Sequence, residues 1–154
     1  MAQDLSRFLS ETIERELPVL RMFNEERAST PRGPGKWSPK EEVGHLIDSA
    51  ANNHIRFVRA ATELELRDSG YAQEDWVRLH GYTELRWETI VDFWFQYNTL
   101  LAALLCRIPP DRLTTLCFIA GDPPVPLSSV IESYILHIQH HIDQVLARDV
   151  ITKY

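Results

Sequence analysis

Cysteine is scarce in this chain of 154 residues, which holds two, Cys106 and Cys117. Their spacing fits no metal-binding pair, and both stand among apolar neighbours, where a reduced thiol behaves as a small hydrophobe. Both are therefore expected to be buried. Basic residues are also in deficit. Sixteen Lys and Arg against 22 Asp and Glu give a net charge of -6, which leaves no basic stripe for a phosphate backbone and sets nucleic-acid binding aside. No apolar run approaches the length needed to cross a bilayer, and the amino end, Met1 to Arg7, lacks the charged start and apolar stretch of a secretory signal. A cytoplasmic location without a membrane partner is the expectation. Internal repeats and low-complexity segments are absent as well.

What remains is an ordinary soluble composition, 44% apolar and 25% charged, in a chain long enough to bury a core without disulfides or a structural metal. One domain over residues 1–154 is expected, of all-α class. Four segments carry helical periodicity, and the Gly and Pro fall between them. The first runs from about Leu5 to Asn24 and ends before Ser29-Thr30-Pro31-Arg32-Gly33-Pro34-Gly35. The second has the clearest start in the chain: Ser38 as N-cap, Pro39 at the first helical position and Glu41 three residues after the cap, a capping box. It is predicted to continue to about Ala61. A connection with a short turn over Gln73 to His80 leads to a third helix from about Thr83 to Arg107, stopped by Pro109-Pro110. The fourth occupies roughly Leu127 to Arg148. The group Trp87, Phe93, Trp94, Phe95 and Tyr97 reads as core.

Three histidines carry the chemistry. On a helical wheel with His137 at zero, His141 falls at about 40°, Val130 at about 20° and Tyr134 at about 60°, all on the apolar face. His140 falls at about minus 60°, away from it. A spacing of four residues stacks two imidazoles on one face of a helix, close enough to grip a single ion. On the second helix, with His45 at zero, Ser49 lies at about 40°, Arg56 at about 20°, Asn52 at about minus 20° and Glu42 at about 60°. That polar edge borders an apolar stripe of Leu46, Ala50, Phe57 and Ala61. Three neutral imidazoles suit zinc, nickel, iron and copper and leave a coordination position open. The competing reading is three packed, hydrogen-bonded histidines. Asp48, at about minus 60°, either orients an imidazole or sits on a solvated face, while His54 and His80 read as surface or structural.

Two metal classes fail on the residues themselves. A di-iron carboxylate bundle requires two Glu-x-x-His motifs, and only Glu42-x-x-His45 occurs. A zincin protease requires Glu directly after the first histidine of its pair, where Ile138 stands here.

The run Lys36-Trp37-Ser38-Pro39-Lys40-Glu41-Glu42-Val43-Gly44-His45-Leu46-Ile47-Asp48-Ser49-Ala50, then Asn52-Asn53-His54-Ile55-Arg56-Phe57, and finally His137-x-x-His140-His141-x-x-Gln144 resembles the DinB family of four-helix-bundle metalloproteins. The resemblance extends over the whole chain, including Gln73-Glu74-Asp75-Trp76-Val77 and Tyr97-Asn98. It implies an up-up-down-down bundle, a homodimer, and one divalent ion held by His45, His137 and His141, the three the wheel selects. Zinc or nickel is the expected ion, with iron or manganese next. The family's activities are divided between thiol-dependent transferases, metal-dependent hydrolases and members with no assigned reaction.

A dication on three neutral ligands keeps its charge, so it can activate water or a small thiol. No protein nucleophile with a matched base is visible in the sequence. The expectation is a metal-dependent enzyme that turns water or a low-molecular-weight thiol on a small electrophile, as hydrolase or thiol S-transferase. Glu42 and Tyr134 are its candidate catalytic groups. Ser49, Asn52, Arg56, Asn98 and Gln144 are candidates for binding a small-molecule substrate, with Arg56 for an anionic group. The alternative is a non-catalytic bundle whose metal serves structure or sensing.

Overall fold

The second helix begins where its capping box places it. Ser38 Oγ accepts from the Glu41 amide at 3.4 Å and Glu41 Oε2 accepts from the Ser38 amide at 2.8 Å, so two otherwise orphaned donors are satisfied reciprocally. In the computed structural model, which describes residues 1–148, this helix is α3 (Pro39–Thr62). Residues 149–154 of the expected domain lie outside the described part.

The other long helices are α1 (Ala2–Arg21), α5 (Trp87–Cys106) and α6 (Leu127–Val145), with short α2 (Glu25–Ser29) and α4 (Gln73–His80) between them. All four predicted helices are thus present, with ends shifted by a turn or less. Of the two short helices, α2 is an addition, capped by Asn24, whose side chain accepts from the Arg27 amide, while the turn expected over Gln73 to His80 is the helix α4, which closes on Gly81 in the left-handed conformation at φ 59°.

The all-α expectation needs one correction. Three short strands, β1 (Leu66–Asp68), β2 (Leu116–Ile119) and β3 (Val125–Pro126), form a small sheet in which β1 is parallel to β2 and β2 antiparallel to β3. Strands of two to four residues are too short to show alternation in a sequence window.

The helix directions also differ from those the resemblance implies. Ser6 bonds Ala102 O at 2.7 Å and Arg21 meets Asp92 at 3.1 Å, so α1 and α5 are antiparallel. Lys40 reaches Thr83 O, just ahead of α5, and His54 meets the Tyr97 hydroxyl at 3.1 Å, so α3 and α5 are parallel. Glu42 pairs with His141 while Phe57 packs on Tyr134, which makes α6 antiparallel to α3. The order is up-down-down-up, not up-up-down-down. The cause is the connection 63–86, which carries β1 and α4 back along α3 before α5 begins.

The core is filled by residues such as Leu9, Leu20, Leu46, Phe57, Trp94, Leu101, Ile131 and Ile138, all fully buried. Trp87 and Trp94 belong to it as expected, whereas Phe95 and Tyr97 are half-buried and Phe93 is exposed. Cys117 is buried, but Cys106, at the last residue of α5, is exposed. Among the described residues no helix is long and apolar enough to cross a membrane.

Candidate metal centre

The antiparallel pairing of α3 and α6 brings the two halves of the histidine pattern together. One ring nitrogen from each of His45, His137 and His141 lies within 4.8 Å of the others. His45 Nε2 and His137 Nε2 stand 3.0 Å apart, and the three ring centroids are 4.5 to 4.9 Å from one another. Trp37 lies over His45 at 5.1 Å between centroids.

Burial keeps two of these rings uncharged. It depresses His45 to a pKa of about 3 and His137 to about 2, with the neighbouring imidazoles adding to the effect. Both are therefore neutral at pH 7, the state a ligand needs.

The arrangement fits a divalent ion. Two nitrogens bound to one tetrahedral zinc at their usual bond length stand roughly 3.3 Å apart, close to the separation of the two Nε2 atoms. Neutral nitrogen donors are also the set that zinc, nickel and iron accept. His45 Nδ1, on the other side of the ring from the Nε2 that faces His137, is buried and has no hydrogen-bond partner among the described residues.

A cavity of about 460 Å³ opens beside His137. Of the sequence-derived candidates, Ser49 and Arg56 line it, Ser49 with Oγ 3.5 Å from His137 Nδ1 and Arg56 buried and paired with Asp68 at 3.1 Å. Tyr134 also contributes to the wall, but its phenol is buried and donates to Asn98 Oδ1. Burial lifts its pKa well above the ordinary value, which argues against a proton-shuttling role.

Four other candidates lie elsewhere. Asn98 is wholly buried, accepting from Tyr134 and donating to Trp94 O at 2.9 Å. Asn52 bonds back to Asp48 O along α3, and Gln144 is held by Arg32 and His140. Glu42 sits behind the histidines, with Oε2 2.6 Å from His141 Nδ1 and Oε1 3.2 Å from Arg32. Both its oxygens are engaged, so it is not poised as a base toward the cavity. Asp48 is likewise structural: it accepts from the Tyr82 hydroxyl at 2.6 Å and pairs with His80 at 2.9 Å, fastening the segment after β1 to α3.

Sequence reading missed much of the cavity lining, including Ser129, Ser133, Tyr71, Cys117, Asn53 and Asp122. Ser133 and Ser129 stand one and two turns before His137 on α6, so the wheel contained them. Tyr71 and Cys117 come from the segments around the small sheet, where helical periodicity carries no signal.

The comparisons with known proteins agree with this picture. Proteins of Bacillus mycoides (strain KBAB4) and Bacillus cereus (strain B4264), each named "Putative metal-dependent hydrolase", are 31% identical to this chain over 61 residues. The match takes in 40% of this chain and 35% of the relatives' length. Among solved structures, YfiT from Bacillus subtilis, described as "a probable metal-dependent hydrolase with an unusual four-helix bundle topology", superposes with a TM-score of 0.85 at 20% identity, covering 95% of this chain and 84% of YfiT. That likeness establishes the fold. The DinB superfamily itself matches residues 9–145, and with most of the chain inside that match, the protein belongs to the DinB superfamily.

Proposed function

We propose that His45, His137 and His141 hold one divalent metal ion, and that the protein is a metal-dependent enzyme acting on a small electrophile in the adjoining cavity. The observation that carries this reading is the convergence of three imidazoles, two of them held neutral by burial, of which His137 lines a cavity large enough for a small molecule. A bound ion would supply Lewis acidity, which brings the pKa of water or a small thiol toward neutrality. Hydrolysis and thiol S-transfer both follow from that chemistry.

The chain's own residues do the rest. Ser49, Ser133 and Ser129 offer hydroxyls along the cavity, where they can orient polar groups of a substrate. Arg56 offers a guanidinium, of which Asp68 takes one donor, and a planar cation in a half-closed cavity suits a carboxylate or phosphate on the substrate. Replacing Arg56 with Ala is expected to raise the KM for an anionic substrate about tenfold or more, as loss of a charge-assisted bond implies, while metal content stays at the wild-type level. Unchanged kinetics would remove Arg56 from the substrate site.

The metal reading is tested by elemental analysis of tag-free protein. About one ion per chain is expected in the wild type and its loss in His45→Ala. Wild type that is metal-free and cannot be reloaded would leave three packed histidines and a structural or binding role.

A further inference from the structure

Glu42 read from sequence as a catalytic base, and its geometry suits a different task. It is 3% exposed, and a buried carboxylate is stable only with partners for both oxygens. Those partners are His141 Nδ1 at 2.6 Å and Arg32 Nη2 at 3.2 Å. With Nδ1–H donated to the carboxylate, the lone pair of His141 resides on Nε2, the atom left for the cluster. His45 differs in this respect, since its Nδ1 is buried and has no hydrogen-bond partner among the described residues.

Arg32 adds a second function to this contact. It lies in the loop between α2 and α3, and its Nη2 also donates to Gln144 Oε1 at 3.2 Å. One guanidinium therefore reaches both α3 and α6, the two helices that carry the three histidines. The end of the same loop supplies Trp37 over His45.

We infer that Glu42 and Arg32 are positioning residues: Glu42 fixes the tautomer and ring orientation of His141 for metal binding, and Arg32 neutralises Glu42 while tying together the helices that carry the ligands. This rests on the metal reading above. Carboxylates that hold a ligating imidazole govern metal affinity, and their loss typically costs about 10- to 100-fold. A general base facing the substrate would instead affect turnover and leave affinity alone.

The test is a competition titration of the full-length apoprotein with Zn(II) against a chromophoric chelator, for wild type, Glu42→Gln and Arg32→Ala, alongside urea unfolding of each apoprotein. Glu42→Gln is expected to bind zinc about 10- to 100-fold more weakly, and Arg32→Ala to weaken binding in the same direction by less. Apoprotein unfolding midpoints close to wild type would separate this effect from a purely structural one. Zinc affinity in Glu42→Gln equal to wild type overturns the assignment, and loss of turnover at that unchanged affinity returns Glu42 to the role of base. Weaker affinity that only tracks a loss of apoprotein stability also overturns it. Failure of the wild type itself to bind zinc removes the metal reading and this inference together, a result distinct from any confined to the variants.

Discussion

Replacing His141 with Ala is expected to lower turnover at least about a thousandfold, the scale of several kcal/mol of transition-state stabilisation, while the protein stays folded. Removing one of the three proposed ligands breaks up the cluster of His45, His137 and His141, the group among the described residues that could hold an ion. The fold has independent support. The core runs the length of the bundle, from Leu9 and Leu20 to Leu105 and Ile142, so an ion at one point between α3 and α6 is not needed to hold it together.

The variant does carry a stability cost of its own, because Glu42 loses its histidine and keeps only Arg32. A buried group deprived of one partner costs about 1–3 kcal/mol. The measurement is turnover on whichever substrate a hydrolysis or thiol-transfer screen yields, with urea unfolding of wild type in the presence and absence of a chelator. If chelation alone removes several kcal/mol from the wild type, the ion is structural and the enzymatic reading fails.

Replacing Gly44 with Ala is expected to destabilise the protein by about 1–3 kcal/mol, the usual range for overpacking. Elsewhere in a helix the same change would stabilise by about 1 kcal/mol, since glycine is the poorer helix former. At this position the packing decides the sign. A Cβ on Gly44 would stand 2.2 Å from Cδ2 and 2.3 Å from Cγ of Tyr82, and that ring is buried with its hydroxyl tied to Asp48. Relief of the clash requires Tyr82 to leave, which exposes Asp48 and loosens the segment that Tyr82 and His80 fasten to α3. Urea unfolding with an unchanged m-value would report the loss. A variant as stable as wild type would mean that Tyr82 can yield without cost.

The sequence was most legible where periodicity and capping agree. Ser38, Pro39 and Glu41 marked the start of α3 to the residue, and the spacing of His137 and His141 placed both on one helical face. Signals of that kind depend on neighbours three and four residues away, which a single sequence records. The strands β1 to β3 and the reversal made by the connection 63–86 left no such trace. β1 pairs with β2 across about fifty positions, Leu66 lying opposite Cys117, and β3 has only two residues to pair with β2.

For the candidate site the division is similar. His45, His137, His141, Ser49 and Arg56 could be listed from two helical wheels, because each wheel fixes which side chains share a face. Which faces meet was decided only in three dimensions. The pairing of α3 with α6 turned Glu42 onto His141 and away from the cavity, directed the Tyr134 hydroxyl to Asn98, and admitted Tyr71 and Cys117 from outside the long helices. Local chemistry set the donors, and long-range packing set their partners, because a polar side chain buried in a bundle bonds whatever group the facing element presents to it.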